Sequence, residues 1–199
     1  ADFIYPWEFD DTENGVRFFP EVDSTMTVGK KLAEQGAAKG TLIIADRQTK
    51  GRGRLQRNWD SEKGGLYFTS ILRPDMPVQY APLMSFAAAI AVVHAIRETV
   101  HIDASIKWPN DILINGKKCA GILSELHSTS QAVSYLNLGI GINVNNSISP
   151  ETPDAVSLGS LAGRNIPRKA LLDNFIRSFD AHIDQTGDEI INQWKTYTN

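Results

Sequence analysis

With 199 residues, 42% of them hydrophobic and 22% charged, the chain is long enough for one good core and has no compositional bias towards disorder. A formal net charge of −3 argues against a protein built mainly to bind nucleic acid, because non-specific phosphate affinity accumulates with Lys and Arg. No uninterrupted apolar run approaches the roughly 20 residues of a membrane span, and residues 1–9 lack a basic stretch followed by an apolar one, so a cytoplasmic protein with no DNA and no membrane partner is expected. The single cysteine, Cys119, cannot close an internal disulfide. The four histidines, His94, His101, His127 and His182, have no metal-ligand spacing, and no protein-built metal site is expected.

In chain order, residues 1–20 carry alternating Phe3, Tyr5, Trp7 and Phe9 and read as an N-terminal extension, either an extra edge strand or an oligomer contact such as a homodimer would use. Ser24-Thr25 precede a segment to about Ala38 with Val28, Leu32 and Ala33 at helical spacing, which predicts a capped helix. Thr41 to Ala45 is a short β-branched strand that delivers the chain towards the basic loop Gly51-Arg52-Gly53-Arg54-Leu55-Gln56-Arg57. Leu66 to Leu72 is the next strand, and the alanine-rich run Pro82 to Val100 predicts a long helix buried against a sheet. Asp103 to Trp108 should be extended. Ile112 to Ile114 and Ala120 to Leu126 flank Asn115-Gly116, a hairpin signal because both turn positions tolerate positive φ. In Ala132 to Val144, Gly139 and Gly141 delete side chains as if to admit something. Arg168 to His182 and Asp188 to Tyr197 look helical. Paired strands with interspersed helices and no regular βαβ repeat predict an α+β fold, a mixed, largely antiparallel sheet flanked by helices.

Two segments carry the chemistry. Glycines at 51 and 53 let backbone approach a phosphate, and Arg52, Arg54 and Arg57 supply fixed positive charge, although a surface turn with arginines is about as common. The second is Lys107-Trp108-Pro109-Asn110-Asp111, in which Pro109 fixes φ and removes a donor beside Lys107 and Asn110, making a rigid polar corner. Taken as an ordinary strand end, Trp108 would be core and Lys107 solvated surface.

In order along the chain, Asp23-Ser24-Thr25, Gln48, Gly51-Arg52-Gly53-Arg54, Trp59, the Lys107 to Asp111 pentapeptide, Lys118-Cys119-Ala120-Gly121-Ile122-Leu123 with Glu125, and Gly139-Ile140-Gly141-Ile142-Asn143 resemble the catalytic domain of biotin protein ligases. The resemblance runs from Glu21 to about Val144. It implies the fold shared by class II aminoacyl-tRNA synthetases and biotin ligases, and an enzyme that uses ATP, with its Mg2+, to form biotinyl-5'-AMP. Biotin would then pass to a lysine of a biotin carboxyl carrier domain.

By matched position, Ser24, Thr25, Met26, Gln48, Arg52, Gly53, Arg54, Lys107, Gly121, Gly139 and Gly141 would line the biotin pocket. Lys107, Arg52 and Arg54 would neutralise charge in catalysis, and Trp59, Asn110 and Asn143 would sit by the nucleotide. Asp111 would orient Lys107 or help place the metal, or simply bond strand-end backbone; Cys119 has no catalytic role. The chain departs from the family at Met26, where Asn is usual, and at Leu55-Gln56, where Arg-Gly is common. Residues 21–199 are expected to form this catalytic domain, with no helix-turn-helix before it and no SH3-like barrel after it. Lipoate ligases share the Asn-Asp pair and a following Gly-Lys-Lys hairpin, so a lipoate-protein ligase is the alternative substrate reading. A non-catalytic biotin-binding module is the alternative of another class.

Overall fold

In the computed structural model, which describes residues 15–129 and 132–198, the apolar runs pair into one seven-stranded sheet. Its strands are β1 (Val16–Phe19), β2 (Leu42–Ala45), β3 (Leu66–Leu72), β4 (Ser105–Lys107), β5 (Asp111–Ile114), β6 (Lys117–Thr129) and β7 (Ala132–Ile142), in the spatial order β1-β2-β3-β7-β6-β5-β4. β1 and β2 are parallel and the other neighbours antiparallel, the mixed, largely antiparallel sheet expected. The edge strand read into residues 1–20 exists at its C-terminal end as β1; Phe3, Tyr5, Trp7 and Phe9 lie outside the described residues. Asn115 at φ 51° and Gly116 at φ 76° close the β5-β6 hairpin, the left-handed pair that matches the twist of its strands.

Helix α1 (Thr25–Glu34) starts on Ser24, whose hydroxyl accepts from Met26 N at 3.3 Å. It stops short of the expected Ala38 because Gly36 turns left-handed at φ 88°. Gly36 N then donates to Ala33 O and Ala37 N to Leu32 O, which satisfies the last carbonyls. Helix α2 (Pro82–Val100) lies across one face of the sheet and is buried around most of its circumference, because α4 (Arg168–Ile183) and α5 (Gly187–Thr196) pack on its other side. By length and composition the stretch Val78–Val100 would suit a membrane span. Most of it is buried among α4, α5 and the sheet, as in a core helix. A short α3 (Leu158–Ala162), too brief to show a period, follows β7.

The alanines of α2 let the sheet approach closely, so the core between them is lined by Ile106, Ile112, Ala120, Ile122, Leu138, Ile140 and Ile142. These residues alternate with the ones that build the opposite face. That second face is covered only in part, by α1 and the basic loop, and this is where the site forms.

His94 on α2 ties the outer helices together. Its Nε2 is 2.8 Å from Tyr197 Oη and its Nδ1 3.0 Å from Ser178 Oγ, while the His182 ring lies 5.3 Å away. Burial, then the neighbouring His182 and Arg97, hold the imidazole below its ordinary value, with Glu98 opposing. The fold therefore favours neutral His94. Its contribution is complete above the unfolded value of about 6.5 and is lost as pH falls through the lower folded value. Thermal midpoints measured between pH 8 and 5 should decline below about pH 6.5, and His94→Gln should flatten that decline; an unchanged slope would remove His94 as its cause.

Candidate active site

Strand register assembles a row of residues on the α1 side of the sheet. Lys107 pairs with Asp111, Asp111 with Gly121, Gly121 with Gly141, and Gly141 with Tyr67, so these lie side by side across five strands. Two residues along β7, Gly139 stands opposite Thr69 and Leu123. The glycines leave a trough, and two side chains from elsewhere lie in it. A Cβ on Gly141 would fall 2.6 Å from Trp59 Nε1, one on Gly121 3.1 Å from Trp59 Cζ3, and one on Gly139 2.5 Å from Met26 Sδ. What the missing side chains admit in this structure is therefore the Trp59 indole and the Met26 thioether.

Over this floor sits a cavity of about 410 Å³. Ser24, Thr25, Met26 and Gln48 line one side, Arg52, Gly53, Arg54 and Arg57 another, with Trp59, Trp108, Asn110, Asp111, Lys118, Gly121, Gly139 and Gly141 completing it. At the α1 end a buried polar chain is fixed in place. Thr69 Oγ1 donates to Thr25 Oγ1 at 2.9 Å, Thr25 N and Oγ1 donate to Gln48 Oε1 at 2.8 and 3.1 Å, and Gln48 Nε2 donates to Ser61 Oγ at 2.9 Å. Such a chain presents hydrogen-bonding atoms in a low-dielectric setting, where they discriminate strongly between ligands.

The basic loop folds back on itself: Gly53 N donates to Arg57 O at 2.7 Å and Trp59 N to Gly51 O at 2.9 Å. Gly51 has to be glycine, since a Cβ there would lie 2.2 Å from Trp59 O. Arg52 forms an ion pair with Glu125, and Arg54 donates to Asn110 Oδ1 at 3.2 Å, so both arginines are held at the cavity mouth by groups that an anion could displace. Leu55 and Gln56, which stand where the family commonly has Arg-Gly, both adopt left-handed backbone at φ 53° and 59°, and Leu55 is 84% exposed. That conformation costs a residue with a Cβ about 1–2 kcal/mol and leaves the loop tip easily displaced.

Lys107 is on the ligand face but at the outer end of the row, on edge strand β4. It is exposed and does not line the cavity. The lysine that lines it is Lys118, at the start of β6, whose backbone is pinned by Lys118 N to Asp154 O and Val156 N to Lys118 O. Lys118 Nζ lies 2.7 Å from Asp111 Oδ1 and 5.1 Å from the centroid of the Trp59 ring. Asp111 thus holds Lys118, not Lys107. Trp108 is 71% exposed at the cavity rim.

The remaining expected residues fall close by. Asn143 is buried, accepts from Asn146 Nδ2 at 3.1 Å, and lines a second cavity of about 340 Å³ together with Asn58, Trp59, Lys118 and Asn146. Trp59 and Lys118 line both cavities and so stand at their junction. Asn110 lines the first cavity, its Nδ2 donating to Ile122 O. Cys119 is wholly buried, and burial pushes its thiol up to about 12, which keeps it protonated and inert at neutral pH.

The mixed sheet thus carries a glycine-floored trough, a basic loop beside it and an adjoining second cavity. The chain belongs to the biotin/lipoate A/B protein ligase family, whose model matches residues 18–144. It is 44% identical over 164 residues to the bifunctional ligase/repressor BirA of Bacillus subtilis, covering 80% of this chain and 50% of that protein. To the biotin--[acetyl-CoA-carboxylase] ligase of Paracoccus denitrificans it is 33% identical over 183 residues, 86% of this chain and 76% of that protein. The chain spans about half the length of the Bacillus relatives it matches. Among solved structures, the biotin protein ligase of Aquifex aeolicus in complex with biotin and ATP superposes with a TM-score of 0.79 at 33% identity, covering 92% of this chain and 78% of that one. The Leishmania major ligase in complex with biotinyl-5-AMP gives 0.79 at 27% identity, covering 92% and 81%.

Proposed function

We propose that this chain carries an ATP-dependent biotin protein ligase activity, forming biotinyl-5'-AMP and passing the biotinyl group to a lysine of a biotin carboxyl carrier domain. The observation that carries the reading is the shared wall. A trough with a fixed polar end at Thr25 and Gln48 meets a second cavity at Trp59 and Lys118, which suits an acid whose carboxylate must touch a nucleotide. The family and the biotin- and ATP-bound neighbours support the same chemistry.

In the first step a biotin carboxylate oxygen attacks the α-phosphorus of ATP, the bond from that phosphorus to the bridging oxygen breaks, and pyrophosphate leaves with the electron pair. Bringing two anions together is the main obstacle. Lys118 sits at the junction to neutralise both, with Asp111 fixing its position and the Trp59 ring face attracting its ammonium by a cation–π contact. Arg52 and Arg54 would exchange Glu125 and Asn110 for phosphate and carboxylate oxygens. In the second step a carrier lysine amine attacks the acyl carbon, AMP leaves, and the amine loses a proton; no enzyme nucleophile is used. Magnesium would arrive on the ATP phosphates, as is usual for nucleotide-bound Mg2+.

Incubating the chain with biotin, ATP and a carrier domain should add one biotinyl group to the carrier's mass. A carrier that gains lipoate and never biotin contradicts the substrate assigned. Because the adenylate is a mixed anhydride, the basic loop should also shield it. Arg54→Gly removes a charged hydrogen bond of about 1.5–3 kcal/mol, so it should still make adenylate but release it. The readout is the ratio of free to protein-bound adenylate after rapid filtration, and a ratio equal to the parent's removes the retaining role.

A further inference from the structure

On β7 the residues Gly141, Gly139 and Asn137 form one continuous track on the ligand face, since Leu138, Ile140 and Ile142 point into the opposite core. Trp59 covers Gly141 and Met26 covers Gly139, and then comes Asn137. Asn137 is 0% exposed, and neither its Oδ1 nor its Nδ2 has a hydrogen-bond partner among the described residues. Its strand neighbours cannot serve it: Ile71 is apolar, and the Glu125 carboxylate is engaged by Arg52. A buried carboxamide left unpaired costs stability, and an apolar residue of the same size would be the better packing choice. Asn137 also adjoins the fixed polar end of the cavity. A Cβ on Gly29 would lie 2.9 Å from Thr69 Cγ2 and 3.6 Å from Asn137 Nδ2, and Thr69 in turn donates to Thr25.

Next along the track from this amide, over Gly139, lies the sulfur of Met26, an unbranched side chain with three rotatable bonds that lines the cavity. We propose that Met26 is a movable cover and that Asn137 beneath it is a specificity-determining residue, hydrogen-bonding the cyclic urea head group of the acid once the cover swings aside. This rests on the ligase reading above. A carboxamide offers a donor and an acceptor in one plane, the complement of a urea N–H and C=O, whereas the dithiolane ring of lipoate offers no donor. Asn137 would therefore act on selectivity, adding to what Thr25 and Gln48 contribute.

The test is calorimetric titration of the full chain with biotin and with lipoate, in the parent, Asn137→Leu and the smaller Asn137→Val, together with thermal midpoints measured without ligand. The variants should bind biotin about tenfold more weakly, bind lipoate as the parent does, and melt at a higher temperature because an unpaired amide is gone. Unchanged biotin affinity in either folded variant overturns the proposal, as does an equal loss for both acids or a fall in both midpoints, each of which would make Asn137 a packing residue. A parent that binds no biotin instead overturns the ligase reading itself, and this assignment falls with it.

Discussion

Lys118→Ala is expected to lower biotin-dependent ATP–pyrophosphate exchange by about 100- to 1000-fold, the usual cost of removing one preorganised charge from the reacting atoms. Lys107→Ala is expected to change the same rate by less than about threefold, as for an exposed surface charge. The contrast follows from geometry: Lys118 lines both cavities and is held by Asp111, while Lys107 lies beyond Asp111 on the edge strand. Neither change touches the core, so the two proteins should melt together and the rates can be compared directly. A large loss in Lys107→Ala with little in Lys118→Ala would reverse the assignment.

The second large effect is expected at Gly141. Alanine there would put its Cβ 2.6 Å from Trp59 Nε1 and 2.7 Å from Trp59 Cε2, closer than real carbon contacts allow. The indole must leave the floor of the trough, and because it walls both cavities, acid and nucleotide sites should be lost together. Overpacking of this kind costs about 1–3 kcal/mol, so the midpoint should fall while exchange becomes unmeasurable. Titrations with biotin and with ATP check the paired loss; a variant that loses only one ligand would show that Trp59 is not a shared wall.

Much of the fold was legible because its signals are local. The bounds of β3 and α2 coincide with those expected from their apolar runs, and Asn115-Gly116 announces its hairpin through positive φ. The site was legible in its parts but not in its arrangement. Lys107 stands beside Asn110 and Asp111 in sequence, yet their proximity at the site is decided by sheet register, which brings Lys118 across the β5-β6 hairpin to Asp111. Alternation gives no signal there, since Cys119 and Ala120 are both buried in one core, and it is the register shift between Ile112 and Leu113 that turns Lys118 to the other side. That Gly121 and Gly141 would be filled by an indole 62 or more positions earlier in the chain could not be read locally, because the contact is made only after the loop folds over the sheet. The orphaned amide of Asn137 was equally hidden: in the sequence it is one polar residue in an alternating strand.

The measurement that tests the central claim most directly is ATP–pyrophosphate exchange catalysed by this chain with biotin or with lipoate as the acid, since it isolates adenylate formation from any carrier. Exchange that requires biotin and is absent with lipoate is the result the account predicts. No exchange with either acid from a folded chain that binds biotin tightly, or exchange specific to lipoate, would contradict it.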